Sequence, residues 1–131
     1  MKSETLEERF ERGQIFRKKV LGEKHVQNET SEEGEFELKK FLGRITTEFV
    51  WGTVWCRPQL ELKTRCLVTL AMNIALQRTR DIRLHMAGAL RNGATQEEIC
   101  EVILQSGVYC GMPTAQEVFK IAKEVFKEFK E

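Results

Sequence analysis

The sequence predicts an all-α fold. Apolar residues recur at the 3.6-residue period and nowhere alternate strictly. Only 2 of 131 residues are proline and 9 are glycine, which leaves long uninterrupted stretches. Helix-opening T-x-x-E pairs occur at Thr30/Glu33 and Thr95/Glu98. Together these predict five or six helices in one domain spanning residues 1–131, large enough to bury a core.

The elements follow in order. Leu6, Phe10, Phe16 and Val20 lean to one side of a helix over Thr5–Val20, which Gly22 ends. The polar stretch Glu23–Gly34 reads as irregular, with Thr30/Glu33 opening the next helix. That helix carries Leu38, Phe41, Leu42, Ile45 and Phe49 as one apolar stripe. It runs into Trp51-Gly52-Thr53-Val54-Trp55-Cys56-Arg57-Pro58, where Pro58 forces a turn. A third helix, about Gln59–Gln77, is apolar nearly all round, so it is the centre of the domain or part of a subunit interface. Helix four spans about Arg80–Arg91 and stops at Asn92-Gly93. Helix five runs from Gln96 to about Cys110, and Gly111-Met112-Pro113 breaks it. The last helix starts near Thr114, with Val118, Ile121, Ala122, Val125, Phe126 and Phe129 inward and Lys120, Lys123, Lys127, Glu124 and Glu128 outward.

Composition narrows the function. With 41 % hydrophobic and 31 % charged residues the chain is not disordered. A net charge of +1 gives no single-sign field, so neither nucleic acid nor an acidic membrane is an expected partner. No apolar run reaches ~18 residues, so no membrane-spanning helix is expected. The first dozen residues are charged and lack an apolar signal core, so the expected location is the cytoplasm. Cys56, Cys66, Cys100 and Cys110 form no C-x-x-C and read as reduced thiols. Two histidines sixty residues apart, with no ligand-type spacing, argue against a metal site.

His85 is the main chemical candidate. Asp81 stands four residues before it, so the two are neighbours on a helix, and the carboxylate orients the imidazole and favours its protonated form. Such a histidine can serve as a general acid or base. A histidine that only packs and bonds a carbonyl fits the same spacing. Trp51, Trp55, Arg57 and Arg65 form a second group. The two indoles share a face, and a guanidinium fork matches a carboxylate, so the four can wall a pocket for a small anion. A subunit interface, where Trp and Arg are also enriched, explains them equally. His25 reads on its own as a solvated loop residue.

Several segments resemble the carboxymuconolactone decarboxylase family: Trp51-Gly52-Thr53-Val54-Trp55-Cys56-Arg57-Pro58, Lys63-Thr64-Arg65, Arg83-Leu84-His85, Ala89-Leu90-Arg91-Asn92-Gly93 and Tyr109-Cys110-Gly111-Met112-Pro113. Val20-Leu21-Gly22 followed by His25-Val26 fits as well, so the likeness runs from about Phe10 to Phe126. The resemblance implies an alkylhydroperoxidase D-like helical fold in ring-like homo-oligomers, trimers or hexamers. The family's peroxidase branch carries C-x-x-C-x-x-x-H, with a glutamate twelve residues before the first cysteine. The matching positions here are Arg78, Asp81 and His85, with Cys66 in place of the glutamate. Arg and Asp cannot cycle through a disulfide, so the likeness is to the decarboxylase branch.

That branch implies the decarboxylation of a small unsaturated lactone carrying two carboxylates. The departing electrons spread into the ring as a dienolate, so the substrate is its own electron sink and no metal or organic cofactor is required. By resemblance, His85 supplies the proton and Asp81 orients it. Arg65 and Arg57 hold carboxylates or the developing oxyanion. Trp51 and Trp55 exclude water, and His25 joins the substrate-binding set. Phe49, Cys56, Gln59 and Cys66 depart from that branch, in which tyrosine-like, Thr, Gly and Ser residues are commoner at those places. Two other readings stand beside it. One is a thiol-dependent antioxidant protein using Cys56, Cys66, Cys100 or Cys110. The other is a non-catalytic helical oligomeric binding protein.

Overall fold

The computed structural model describes residues 2–32 and 36–129. Seven α-helices and one π-helix account for nearly all of them, and no strand occurs among the described residues. The count exceeds the expected five or six because the stretch expected to be irregular forms a helix and another helix changes type midway. The helices gather into two compact units, Met1–Leu60 and Glu61–Glu131.

In the first unit, α1 (Leu6–Leu21) opens on a reciprocal capping box. Glu8 N donates to Thr5 Oγ1 at 3.2 Å and Thr5 N donates to Glu8 Oε2 at 2.7 Å. Gly22 ends the helix at φ 87°, a conformation that disfavours a side chain. The next segment corrects the expectation of an irregular stretch: Glu23–Glu32 is helix α2. Its sequence shows little apolar period, yet Val26 is buried and the helix packs on α1. Thr30 lies inside α2 rather than at a helix start, and Glu33, its proposed capping partner, lies outside the described residues.

Helix α3 (Glu37–Ile45) continues into the π-helix, Thr46–Trp55. Within it, Thr53 Oγ1 donates to Glu48 O five residues back at 2.9 Å. This helix crosses α1 at two glycines. A Cβ on Gly13 would sit 2.0 Å from Thr47 O, and one on Gly52 would sit 2.0 Å from Arg9 O. Arg12 fastens the crossing, donating through Nη2 and Nε to Gly52 O at 2.6 and 3.0 Å. The apolar stripe of α3 is not buried. Leu38, Phe41, Leu42 and Ile45 are all exposed, Phe41 by 62 %, and so is Phe49 on the π-helix.

In the second unit, α4 (Leu62–Leu76) and α5 (Thr79–Arg91) form a hairpin. Gln77 turns the chain in the left-handed region at φ 56°. That costs a non-glycine residue about 1 kcal/mol. Its amide donates to Ile74 O at 3.0 Å and that of Arg78 to Asn73 O at 3.1 Å, which satisfies these two carbonyls in the last turn of α4. Helix α6 (Gln96–Cys110) opens on the expected Thr95/Glu98 box, with reciprocal bonds of 3.0 and 2.9 Å. Gly111 ends it at φ 113°, and α7 (Met112–Glu128) starts there, with Pro113 in the first turn where its missing N–H is harmless. Leu70, Ile74, Met86 and Ile99 are fully buried and Ile82 and Val118 nearly so. Each such side chain contributes about 1.5–3 kcal/mol of apolar burial. The near-uniform apolarity of α4 divides in two: Cys66, Leu70 and Ile74 face the core, while Val68, Met72 and Leu76 are exposed.

Candidate active site

Of the sequence-predicted residues, His25, Trp51, Trp55 and Arg57 belong to the first unit, and Arg65, Asp81 and His85 to the second. In the second unit, α5 begins at Thr79, which places Asp81 in its first turn and His85 one turn later. Asp81 gains from the helix N-terminus there. Arg65 lies in the first turn of α4, which packs against α5. Its carbonyl accepts the Thr69 hydroxyl at 2.8 Å, and Thr69 O in turn accepts Asn73 Nδ2 at 3.1 Å. A polar ladder thus runs up an otherwise apolar helix, and Asn73 is its buried end.

The electrostatics of His85 correct one expectation. Asp81 does pull toward the imidazolium, but burial is the larger effect, and the imidazole is held below the ordinary histidine value. The resting side chain is therefore neutral at pH 7 rather than kept protonated by its neighbour. The sequence supplied the pair but not the depth at which it sits.

In the first unit, Trp51 and Trp55 are both buried and their rings stack at 4.7 Å with planes 30° apart. The four-residue spacing does bring them together; in an i→i+5 helix it falls just short of one turn. Arg57 follows in the turn and is exposed, its amide donating to Val54 O at 3.1 Å. His25 is not a solvated loop residue. It lies on α2, half-buried, with Nε2 3.3 Å from Glu29 Oε1, and Glu29 also pairs with Arg17. Sequence reasoning missed Arg17 and Glu29, because their twelve-residue separation crosses two helices and leaves no periodic trace.

All four cysteines are free thiols. Cys66, the most buried, is pushed up to about 11 by desolvation, so it carries no thiolate near neutrality. Among the described residues no three His, Cys, Asp or Glu side chains are grouped to hold a metal ion, and no helix is long and apolar enough to cross a membrane.

Comparison with known proteins places these residues in context. The family model described as "Carboxymuconolactone decarboxylase family" matches residues 42–124, which include Trp51, Trp55, Arg57, Arg65, Asp81 and His85. The 4-carboxymuconolactone decarboxylase of Acinetobacter baylyi is 39 % identical over 124 residues, covering 93 % of this chain and 90 % of that one. The nitrosuccinic acid decarboxylase npaB of Metarhizium robertsii is 36 % identical over 119 residues, covering 91 % of this chain and 82 % of that one.

Proposed function

Because the chain belongs to the carboxymuconolactone decarboxylase family and is a carboxy-lyase by that kinship, we propose that it removes CO2 from a small dicarboxylate whose own structure accepts the departing electrons. The observation that carries this reading is likeness to two decarboxylases along more than nine-tenths of the chain, with Arg78 and Asp81 at the places where a redox cysteine pair would stand. The two relatives' names point to different acceptors, a conjugated lactone in one and a nitro group in the other. Both substrates can hold the electron pair of the broken C–C bond on oxygen, as a dienolate or a nitronate. The shared requirement is therefore a carboxylate on a carbon next to such an acceptor, together with a second carboxylate for anchoring. A 4-carboxymuconolactone-like lactone is the substrate class we assign, and breakdown of aromatic compounds is the setting that such a lactone implies.

The reaction balances without a further reagent. The bond to the carboxylate carbon breaks, CO2 leaves, the pair moves into the acceptor, and a proton then reaches carbon. Arg65 and Arg57 bind carboxylates or the developing oxyanion, where fixed donors in a water-poor site count most. Trp51 and Trp55 exclude water, and His25 contributes to binding. His85 delivers the proton. It rests neutral, and the arrival of a dianion raises its proton affinity, so the proton is taken up with the substrate. Asp81 orients the ring. A homo-oligomer, trimer or hexamer, is part of the proposal; the exposed apolar stripe of α3 and the exposed Val68, Met72 and Leu76 of α4 support it.

The test is loss of ultraviolet absorbance of a conjugated lactone dicarboxylate together with stoichiometric CO2 release. We expect His85→Gln to lower kcat about 10²–10⁴-fold with the fold intact. Unchanged kcat in that variant removes His85 from the chemistry, and hydroperoxide turnover that depends on the cysteines would favour the thiol reading.

A further inference from the structure

The first unit encloses a cavity of about 200 Å³ whose charged walls come from two helices. Helix α1 contributes Phe10, Gln14 and Arg17 from one face, and α3 contributes Lys40 and Arg44 from one face. Three of the lining residues are cations and none is an acid. Phe10 and Val26 supply apolar surface between them.

The cations differ in what they have left to give. Arg44 is committed: Nε donates to Glu48 and Nη2 to Glu7, each at 2.6 Å, and its Cζ lies 4.1 Å from the Phe10 ring centroid. It brings a cation–π wall, its charge being already met by the two carboxylates. Lys40 stands 3.8 Å from Glu37, in an exposed pair that contributes little and is readily exchanged. Arg17 is held from the side by Glu29, itself approached by His25, yet its Nε is buried and makes no hydrogen bond among the described residues. Arg17 lines the cavity, so a carboxylate bound there shares its guanidinium with Glu29. The Thr47 hydroxyl gives its proton to Gly43 O at 2.8 Å and has only lone pairs to offer, so Gln14 is the remaining neutral donor.

We propose that this cavity binds a short aliphatic dicarboxylate, one carboxylate on Arg17, the other near Lys40, and the methylene chain against Phe10 and Val26. The apolar surface that Phe10 and Val26 add to the lining is what selects such a molecule over inorganic phosphate, which has nothing to lay on it. None of the lining residues is itself in the set assigned to decarboxylation, although Glu29 links Arg17 to His25, which is.

Titration of the full-length protein with succinate, followed by amide shifts in nitrogen–proton NMR spectra, tests it. Inorganic phosphate and neutral succinamide serve as the other probes. Saturable succinate binding is expected, with shifts centred on Gln14, Arg17, Gly43 and Thr47. Lys40→Gln should weaken it about tenfold and Arg17→Lys at least as much, while His85→Gln leaves it unchanged. Lys40 is half-exposed, so its variant remains informative should Arg17→Lys fail to fold. Absence of saturable binding at millimolar succinate overturns the proposal. So does binding indifferent to Lys40→Gln, phosphate binding as tight as succinate, or loss of binding in His85→Gln. Loss of turnover with this binding intact would instead count against the decarboxylase assignment alone.

Discussion

Helices α3 and α7 carry apolar stripes of the same period, yet α3 buries none of its residues while α7 buries Ala115, Val118, Ala122 and Val125. The difference lies in the neighbours. Helix α7 has α6 against it, close enough at Gly107 that a Cβ there would stand 2.8 Å from Ala115 Cβ. Helix α3 packs on the π-helix that continues it, and its phenylalanine and leucine side chains remain exposed. A stripe of given period therefore fixes which face of a helix is apolar, and says nothing about what covers that face. In α7 the cover lies within the unit; for α3 we assign it to a second copy of the chain.

Three substitutions sharpen that contrast, taken from the largest expected effect. Val118→Asp places a charge at a site 2 % exposed. It should cost about 3–5 kcal/mol and melt the second unit, read by denaturant unfolding. Gly13→Ala comes next. The new methyl meets the backbone of Thr47, so α1 and the π-helix must separate, at a cost of about 1–3 kcal/mol expressed in the first unit. Hydrogen exchange resolved by residue should show the loss confined to 1–60. Phe41→Ser is smallest for the fold of the single chain, within about 0.5 kcal/mol. Sedimentation should nonetheless show a loss of assembly. If Phe41→Ser instead unfolds the chain as Val118→Asp does, the two stripes are equivalent and the contrast fails.

His85 adds a pH-dependent effect. Its folded-state value lies below the unfolded value of 6.5, so the unfolded chain binds a proton that the folded chain refuses. This contribution makes stability fall as pH drops below about 6.5, until the folded form also takes the proton. In His85→Gln that slope should flatten in urea unfolding between pH 7 and 5. A steeper slope in the variant would mean that Asp81, rather than burial, governs the imidazole.

Much of this was legible in the sequence because it is written locally. Thr95 and Glu98 announce α6, Gly22, Gly93 and Gly111 mark the turns, and Asp81 with His85 is a one-turn pair. What stayed hidden depends on distant partners. Helix α2 lacks an apolar period and is polar apart from Val26, so its helicity follows from packing on α1 rather than from pattern. The π-helix has no distinguishing composition, so nothing in the sequence marks where the i→i+4 ladder gives way to i→i+5. Arg17, Glu29 and His25 meet across two helices, and the lowered proton affinity of His85 follows from burial that no spacing encodes.

The most direct measurement is the single-turnover rate of CO2 release from a conjugated lactone dicarboxylate by the wild-type protein and by His85→Gln, matched for helicity and assembly. The account predicts rapid release by the wild type and a loss of about 10²–10⁴-fold in the variant. Equal rates, or no release by either protein from any lactone or nitro dicarboxylate, would contradict it.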